Sequence, residues 1–108
     1  STCFVTTACV HFAGLPDDCF QMTMSRKLRD DFLRKDDKGV VFLQDYIKMA
    51  PRIVSSIELH PDREIILHGL FSQISEVANK VNGCDFEGAF NDCKRIFSDL
   101  CAMHINPR

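Results

Sequence analysis

The sequence predicts an all-α fold, a compact bundle of four to five helices with an extended N-terminal segment. Three observations predict it. Residues 62–81 and 85–103 carry apolar side chains at alternating steps of three and four, the period of one helix face. Both stretches are bounded by residues that start or stop helices. Strand signals are weak everywhere after residue 13.

Taken in order, residues 1–16 form a cysteine box. Val5, Thr6, Thr7, Val10 and Phe12 favour strand-like backbone, so this segment is expected to lie extended across the bundle. Gly14-Leu15-Pro16-Asp17-Asp18 is a helix-start signal, because aspartate side chains accept hydrogen bonds from the first amides and complement the helix dipole. The helix expected over about 17–35 carries Phe20, Met24, Leu28 and Phe32 at steps of four, one apolar stripe. Asp36-Asp37-Lys38-Gly39 breaks it.

A second helix, about 39–49, places Val41, Leu43, Tyr46, Ile47 and Ala50 on or near one face. Pro51 lacks an amide proton and disfavours helical geometry at Ala50, so it is expected to end or kink this helix. A short third helix, about 51–59, turns Ile53, Val54 and Ile57 inward, and His60-Pro61-Asp62 is the next break. The helix over 62–81 has Ile66, Leu67, Leu70, Phe71, Ile74, Val77, Ala78 and Val81 on its repeat, with Asn82-Gly83 as a C-terminal cap. The last, 85–103, repeats the pattern with Phe86, Ala89, Phe90, Cys93, Ile96, Phe97, Leu100 and Cys101. The short loop between these two predicts antiparallel packing.

At 108 residues the chain is read as a single domain, 1–108, and an apolar share of 45% is enough for a core without help from disulfides or metal. The formal net charge of −2, from 13 Lys+Arg against 15 Asp+Glu, lacks the basic footprint of a nucleic-acid binder. The densest basic run, from Arg26 to Lys35, is interleaved with Asp30 and Asp31, the pattern of a solvated face. No apolar run approaches the ~18 residues of a membrane span. The chain starts at Ser1 and shows no signal-peptide pattern, so it reads as a processed product or an excised piece with its compartment open. A protein is the expected class of partner, no cofactor is expected, and the oligomeric state is open.

Six cysteines fall into two clusters, Cys3, Cys9 and Cys19 at one end and Cys84, Cys93 and Cys101 at the other. They admit four readings. As a disulfide framework they allow fifteen connectivities; a bond joining the clusters would close a loop of roughly 80–100 residues and contribute about 4–5 kcal/mol in the chain-entropy model. As core residues, Cys93 and Cys101 lie on the apolar face of the last helix. As a metal site the spacings are poor: there is no Cys-x-x-Cys, and a set of Cys9, His11, Cys101 and His104 requires the termini to meet. As a catalytic thiol, Cys3 or Cys9 needs a base from among His11, His60, His68 and His104, of which His60 sits at an accessible break. Cys19 adds a helix N-terminus, whose dipole favours a thiolate.

Cys3-Phe4-Val5-Thr6-Thr7-Ala8 resembles the signature of the CFI-box family, a Cys-Phe-Ile-x-Thr-Ala box. In that family it is followed by an Arg-x-Phe-Arg-Asp segment and a Tyr-Tyr-x-x-x-Pro segment. Here Lys27-Leu28-Arg29-Asp30 corresponds to the second segment, and Asp45-Tyr46 with Ala50-Pro51 to the third. The likeness covers about residues 3–57, with Val5 for Ile, Leu28 for Phe and Asp45 for the first Tyr. It implies a small, mostly bacterial domain, often at the C-terminal end of larger proteins, and it implies no particular reaction. It also implies that Cys3, Arg29 and Asp30 form a linked set. Physically, a guanidinium beside a thiol favours the reactive thiolate. Equally, Cys3 and Phe4 can plug the bundle while Arg29 and Asp30 pin the segment.

The sequence therefore predicts a cysteine-rich, non-enzymatic helical module, a structural or interaction domain of a larger bacterial protein. Two alternatives stand beside it. One is a thiol-based redox-sensing or autoprocessing activity centred on Cys3, with Arg29 and His60 as partners; the other is a metal-binding module.

Overall fold

Five α-helices make up the architecture seen in a computed structural model, which describes residues 3–105. They are α1 (Phe4–Phe12), α2 (Phe20–Lys27), α3 (Asp37–Glu58), α4 (Arg63–Asn82) and α5 (Phe86–His104), and no strand occurs among the described residues. Helix α1 packs against α2, α3 and α4, while α5 packs against α3 and α4. The Cα radius of gyration is 13.0 Å, the value expected for a compact chain of this length.

The expectation of an extended N-terminal segment is overturned. Residues 4–12 form α1, with Val5, Thr6, Cys9 and Val10 buried. These positions fall at i, i+1, i+4 and i+5, a helical face, so burial overrides the local preference of valine and threonine for extended backbone. The helix ends where Gly14 turns to φ +72°. There the Leu15 amide donates to the Val10 carbonyl at 2.9 Å and the Gly14 amide to His11 at 3.1 Å.

The helix expected over 17–35 is shorter and changes pitch. Regular α2 covers Phe20–Lys27, then a π-helical stretch runs over Leu28–Phe32 and a 3₁₀ turn over Leu33–Lys35. The inward side chains are Met22, Leu28 and Leu33, whereas Phe20 is 40% exposed. Of the predicted stripe, Leu28 is buried and Met24 and Phe32 pack against the core, while Phe20 turns outward and Met22 is buried in its stead.

The two helices expected on either side of Pro51 are one, α3, with Pro51 inside it. Pro51 lies on the solvent side, where water can satisfy the carbonyl it leaves without an amide. On the other side Ala50, Ile53 and Ile57 are almost fully buried and hold the helix together across the proline. Asp36 caps its start, its carboxylate accepting from the Gly39 amide at 2.9 Å. Gly39 is required there, since a Cβ would collide with the Leu33 carbonyl oxygen and lie 2.7 Å from its Cα.

Helices α4 and α5 follow their predicted spans closely. Their buried faces include Leu70, Ile74, Val77 and Val81 on one and Ala89, Phe90, Ile96 and Leu100 on the other. Lys80 Nζ meets Asp92 Oδ2 at 2.6 Å across them, and this bond holds the Asp92 carboxyl below the usual carboxylate range. Phe42 of α3 stands edge-on to Phe90 and Phe97 of α5, with ring centroids 5.5 and 5.6 Å apart.

One cap departs from expectation. Gly83 keeps φ −86°, and Cys84 takes the left-handed conformation at φ +64°. It does so to close the α4 terminus, where the Asp85 amide donates to the Lys80 carbonyl at 2.8 Å. A non-glycine residue there carries a steric cost of roughly 1–2 kcal/mol. Cys84→Gly is expected to raise unfolding free energy by about 1 kcal/mol, and Cys84→Ala to leave it near wild type. Urea denaturation under reducing conditions checks both.

Candidate functional site: the Cys3–Arg29 pocket

The first turn of α1 has no side-chain cap of its own and no acidic residue to meet its amides. Tyr46, the single tyrosine of the chain, supplies what is missing: its hydroxyl accepts from the Val5 amide at 2.9 Å. Tyr46 is half-buried, and desolvation of its phenol pushes the ionisation far above the ordinary value. Cys3, Cys93 and Cys9 all lie close enough to act on it electrostatically. One cysteine from each cluster, Cys3 and Cys93, thus lines the same cavity as Tyr46.

Cys3 stands at the N-cap position of α1 and is 5% exposed. Arg29 approaches it from the π-helical stretch, with Nη1 3.9 Å from Cys3 Sγ. The guanidinium is gripped by Asp30, whose carboxylate accepts from Nε at 2.8 Å and from Nη2 at 3.0 Å. Arg34 adds a third contact to Asp30 at 2.9 Å. The hydrogen bond from Arg29 holds the Asp30 carboxyl below the usual range. Cys3, Arg29 and Asp30 are therefore in contact as one chain of side chains, with Arg29 between the other two. One turn on, the Thr6 and Ser25 hydroxyls lie 3.3 Å apart.

Cys3, Thr6, Ser25 and Arg29 line one end of a cavity of about 100 Å³ that is walled by α1, α2, α3, α4 and α5 and half open to the surface. Its remaining wall is apolar, with Val5, Leu28, Phe42, Ile74, Val77 and Leu100 among the lining residues, and Cys93 facing it from α5.

The other candidates lie elsewhere. His60 follows the end of α3, about 18 Å of helix rise from Tyr46, and its ring stands 6.4 Å from that of His104. His11 is about 12 Å along α1 from Cys3, and His68 is exposed on α4. His104 Nδ1 pairs with Ser56 Oγ at 3.0 Å, and its pKa is lowered by burial and by His60. The arrangement thus puts a cation beside Cys3, and the histidines at other places in the fold.

Among the described residues no two cysteines are joined by a disulfide, and no three His, Cys, Asp or Glu side chains group to hold a metal ion. Cys9 is fully buried, and burial pushes its thiol, like that of Cys93, up to about 12. Burial also raises Cys101. Cys19 takes the N-cap of α2, and Cys84 is exposed beyond α4.

Sequence reasoning placed Tyr46 on an apolar face and missed its hydroxyl as the anchor of α1; it also passed over the Thr6–Ser25 pair. The signal for the first was present, since a lone tyrosine in a buried stripe needs a partner for its oxygen.

Two outcomes follow from this geometry. Tyr46→Phe removes the acceptor of a buried amide and is expected to destabilise by about 1–3 kcal/mol, read by chemical denaturation. Stability is also expected to fall as pH rises from about 9 towards 12: the unfolded thiols ionise from their ordinary 9.0 upward, while folded Cys9 and Cys93 keep their protons to about 12. Urea midpoints between these limits should drop, and drop less steeply in Cys93→Ala.

No protein-family model, no curated protein and no solved structure matches the chain.

Proposed function

We propose that the chain is a non-enzymatic helical module, a structural or interaction domain of a larger bacterial protein in the manner of the CFI-box family. Its N-terminal cysteines hold the box against the bundle by burial. The observation that carries this reading is the placement of the box in the core: Cys3 is 5% exposed, Cys9 is fully buried, and Tyr46 ties down the Val5 amide. A box that merely tethered the module to its parent would have no reason to occupy the core.

The interaction part is supported by the end of the bundle where α3 stops, α4 begins and α5 stops. Leu59, Ile65 and Met103 are 86, 73 and 66% exposed there. His60 and His104 bring the ends of α3 and α5 together. The three most exposed large apolar side chains of the described residues share this end, which favours a protein partner over bare solvent.

A second reading, thiol-based activity at Cys3, is favoured by the Arg29 contact, which sets a cation beside the sulfur. It requires one cysteine to react with iodoacetamide far faster than the rest near neutral pH. The module reading expects Cys3 to react slowly, with Cys19 and Cys84 as the first sites labelled. It also expects Cys9→Ser, which buries a hydroxyl, to cost about 1–3 kcal/mol and to speed proteolysis of the N-terminal segment, with Cys3→Ser acting in the same direction. If both serine variants keep the wild-type melting temperature and protease resistance, the module reading fails. Rapid selective alkylation of Cys3 would put the thiol reading in its place.

A further inference from the structure

Protein interiors are packed as closely as organic crystals, and voids much larger than a water molecule are few. The cavity of about 100 Å³ beside Cys3 is therefore a feature to be explained. It lies where five helices converge and is half open to the surface, so a small molecule can enter it without the bundle coming apart. Its wall is divided. Most of it is aliphatic and aromatic, while the polar groups are Thr6, Ser25, Arg29 and the Cys3 sulfur, from the first turns of α1 and from α2 and the residues after it, with Tyr46 of α3, whose hydroxyl is engaged by the Val5 amide.

A cleft lined in this way suits water only at its polar end, because water needs two to four polar partners and the rest of the wall is apolar. It suits a molecule with an apolar body and one oxygen. We infer that the cavity is a binding site for a short aliphatic molecule carrying a single hydrogen-bonding oxygen head, with the head at the Thr6–Ser25 pair and the chain among Val5, Ile74, Val77 and Leu100. Apolar cavities of roughly 150 Å³ take up benzene, so this smaller one sets the body at about four or five carbons. Thr6 and Ser25 are placed for the head, since each hydroxyl both donates and accepts and the two are held within 3.3 Å by each other alone.

The inference goes beyond the module reading and is tested separately from it. Binding energy adds to folding energy, so a ligand of the folded state raises the melting temperature with its concentration. The probes are 1-pentanol and 2-pentanone, added in the millimolar range to the intact chain under reducing conditions. The melting temperature should rise saturably with at least one of them, and methyl resonances of Val5, Val77 and Leu100 should shift with the same dissociation constant. Val77→Phe places a ring in the cavity and should abolish the shift while melting at or above the wild-type temperature; Ile74→Phe fills the same space from the next turn should the first variant fold poorly. Thr6→Val should weaken binding of the bound probe several-fold and leave the aliphatic contacts in place. The inference is overturned if neither probe gives a saturable shift, or if a folded, filled variant binds as wild type does.

Discussion

The hydrogen bond from the Val5 amide to the Tyr46 hydroxyl is the constraint on which the rest of the bundle depends. Helix α1 has nine residues, too few to be stable alone, so its existence rests on tertiary contacts. It meets α2, α3 and α4, and its buried face supplies core to each. Burying a valine or cysteine side chain contributes of the order of 1–2 kcal/mol, but only if the amides at the helix start do not remain unsatisfied in the same dry environment. The tyrosine resolves that conflict from the middle of α3. It does so within an aromatic group, its ring 5.7 Å from Phe97 and 6.1 Å from Phe42, which fixes where the hydroxyl points.

The stretch between α2 and α3 performs two tasks with one change of pitch. The chain must reverse direction quickly, and it must keep Leu28 and Leu33 in the core while doing so. These leucines are five positions apart, more than one α-turn and less than two, so a regular helix would put them on diverging faces. Widening to a π-helical stretch over Leu28–Phe32 brings both inward. The same widening turns Arg29 towards Cys3 while Asp30 remains beside it as the carboxylate clamp. Such local π geometry recurs at functional sites because it displaces one residue from the regular pattern. Asp36 then caps α3, and Gly39 lets the new helix pass against the Leu33 carbonyl.

What was legible in the sequence follows from which signals act locally. Helices α4 and α5 were legible because long apolar repeats with stop residues leave burial a single solution. Helix α1 was not, because Val5, Thr6, Thr7 and Val10 carry a local preference that burial reverses, and a nine-residue helix shows only two turns of its period. Pro51 marked a real loss of one backbone hydrogen bond, yet the packing of Ala50, Ile53 and Ile57 outweighs it. Of the site, the pairing of Arg29 and Asp30 with Cys3 was anticipated, whereas the role of Tyr46 required knowing that residues 5 and 46 meet. Nothing in the spacing of His60 reveals that α3 carries it to the opposite end of the fold from Cys3.

The six cysteines then separate by environment. Cys9 and Cys93 are packing residues, since burial makes their thiolates costly. Cys101 leans the same way, while Cys19 and Cys84 sit at helix ends, where backbone geometry rather than packing governs them. Cys3 alone among them combines burial with a guanidinium in contact and a cavity in front. A residue present only to fill space would be served as well by alanine or valine, and would not call for a clamped arginine. The clamp restrains the cation as much as it supplies it, because Asp30 balances the charge that Arg29 presents. The pair therefore brings little net charge to the cavity end and holds a polar surface in a fixed shape. That surface borders the Thr6–Ser25 pair, so the clamp fixes the shape of the polar end of the cavity rather than its charge.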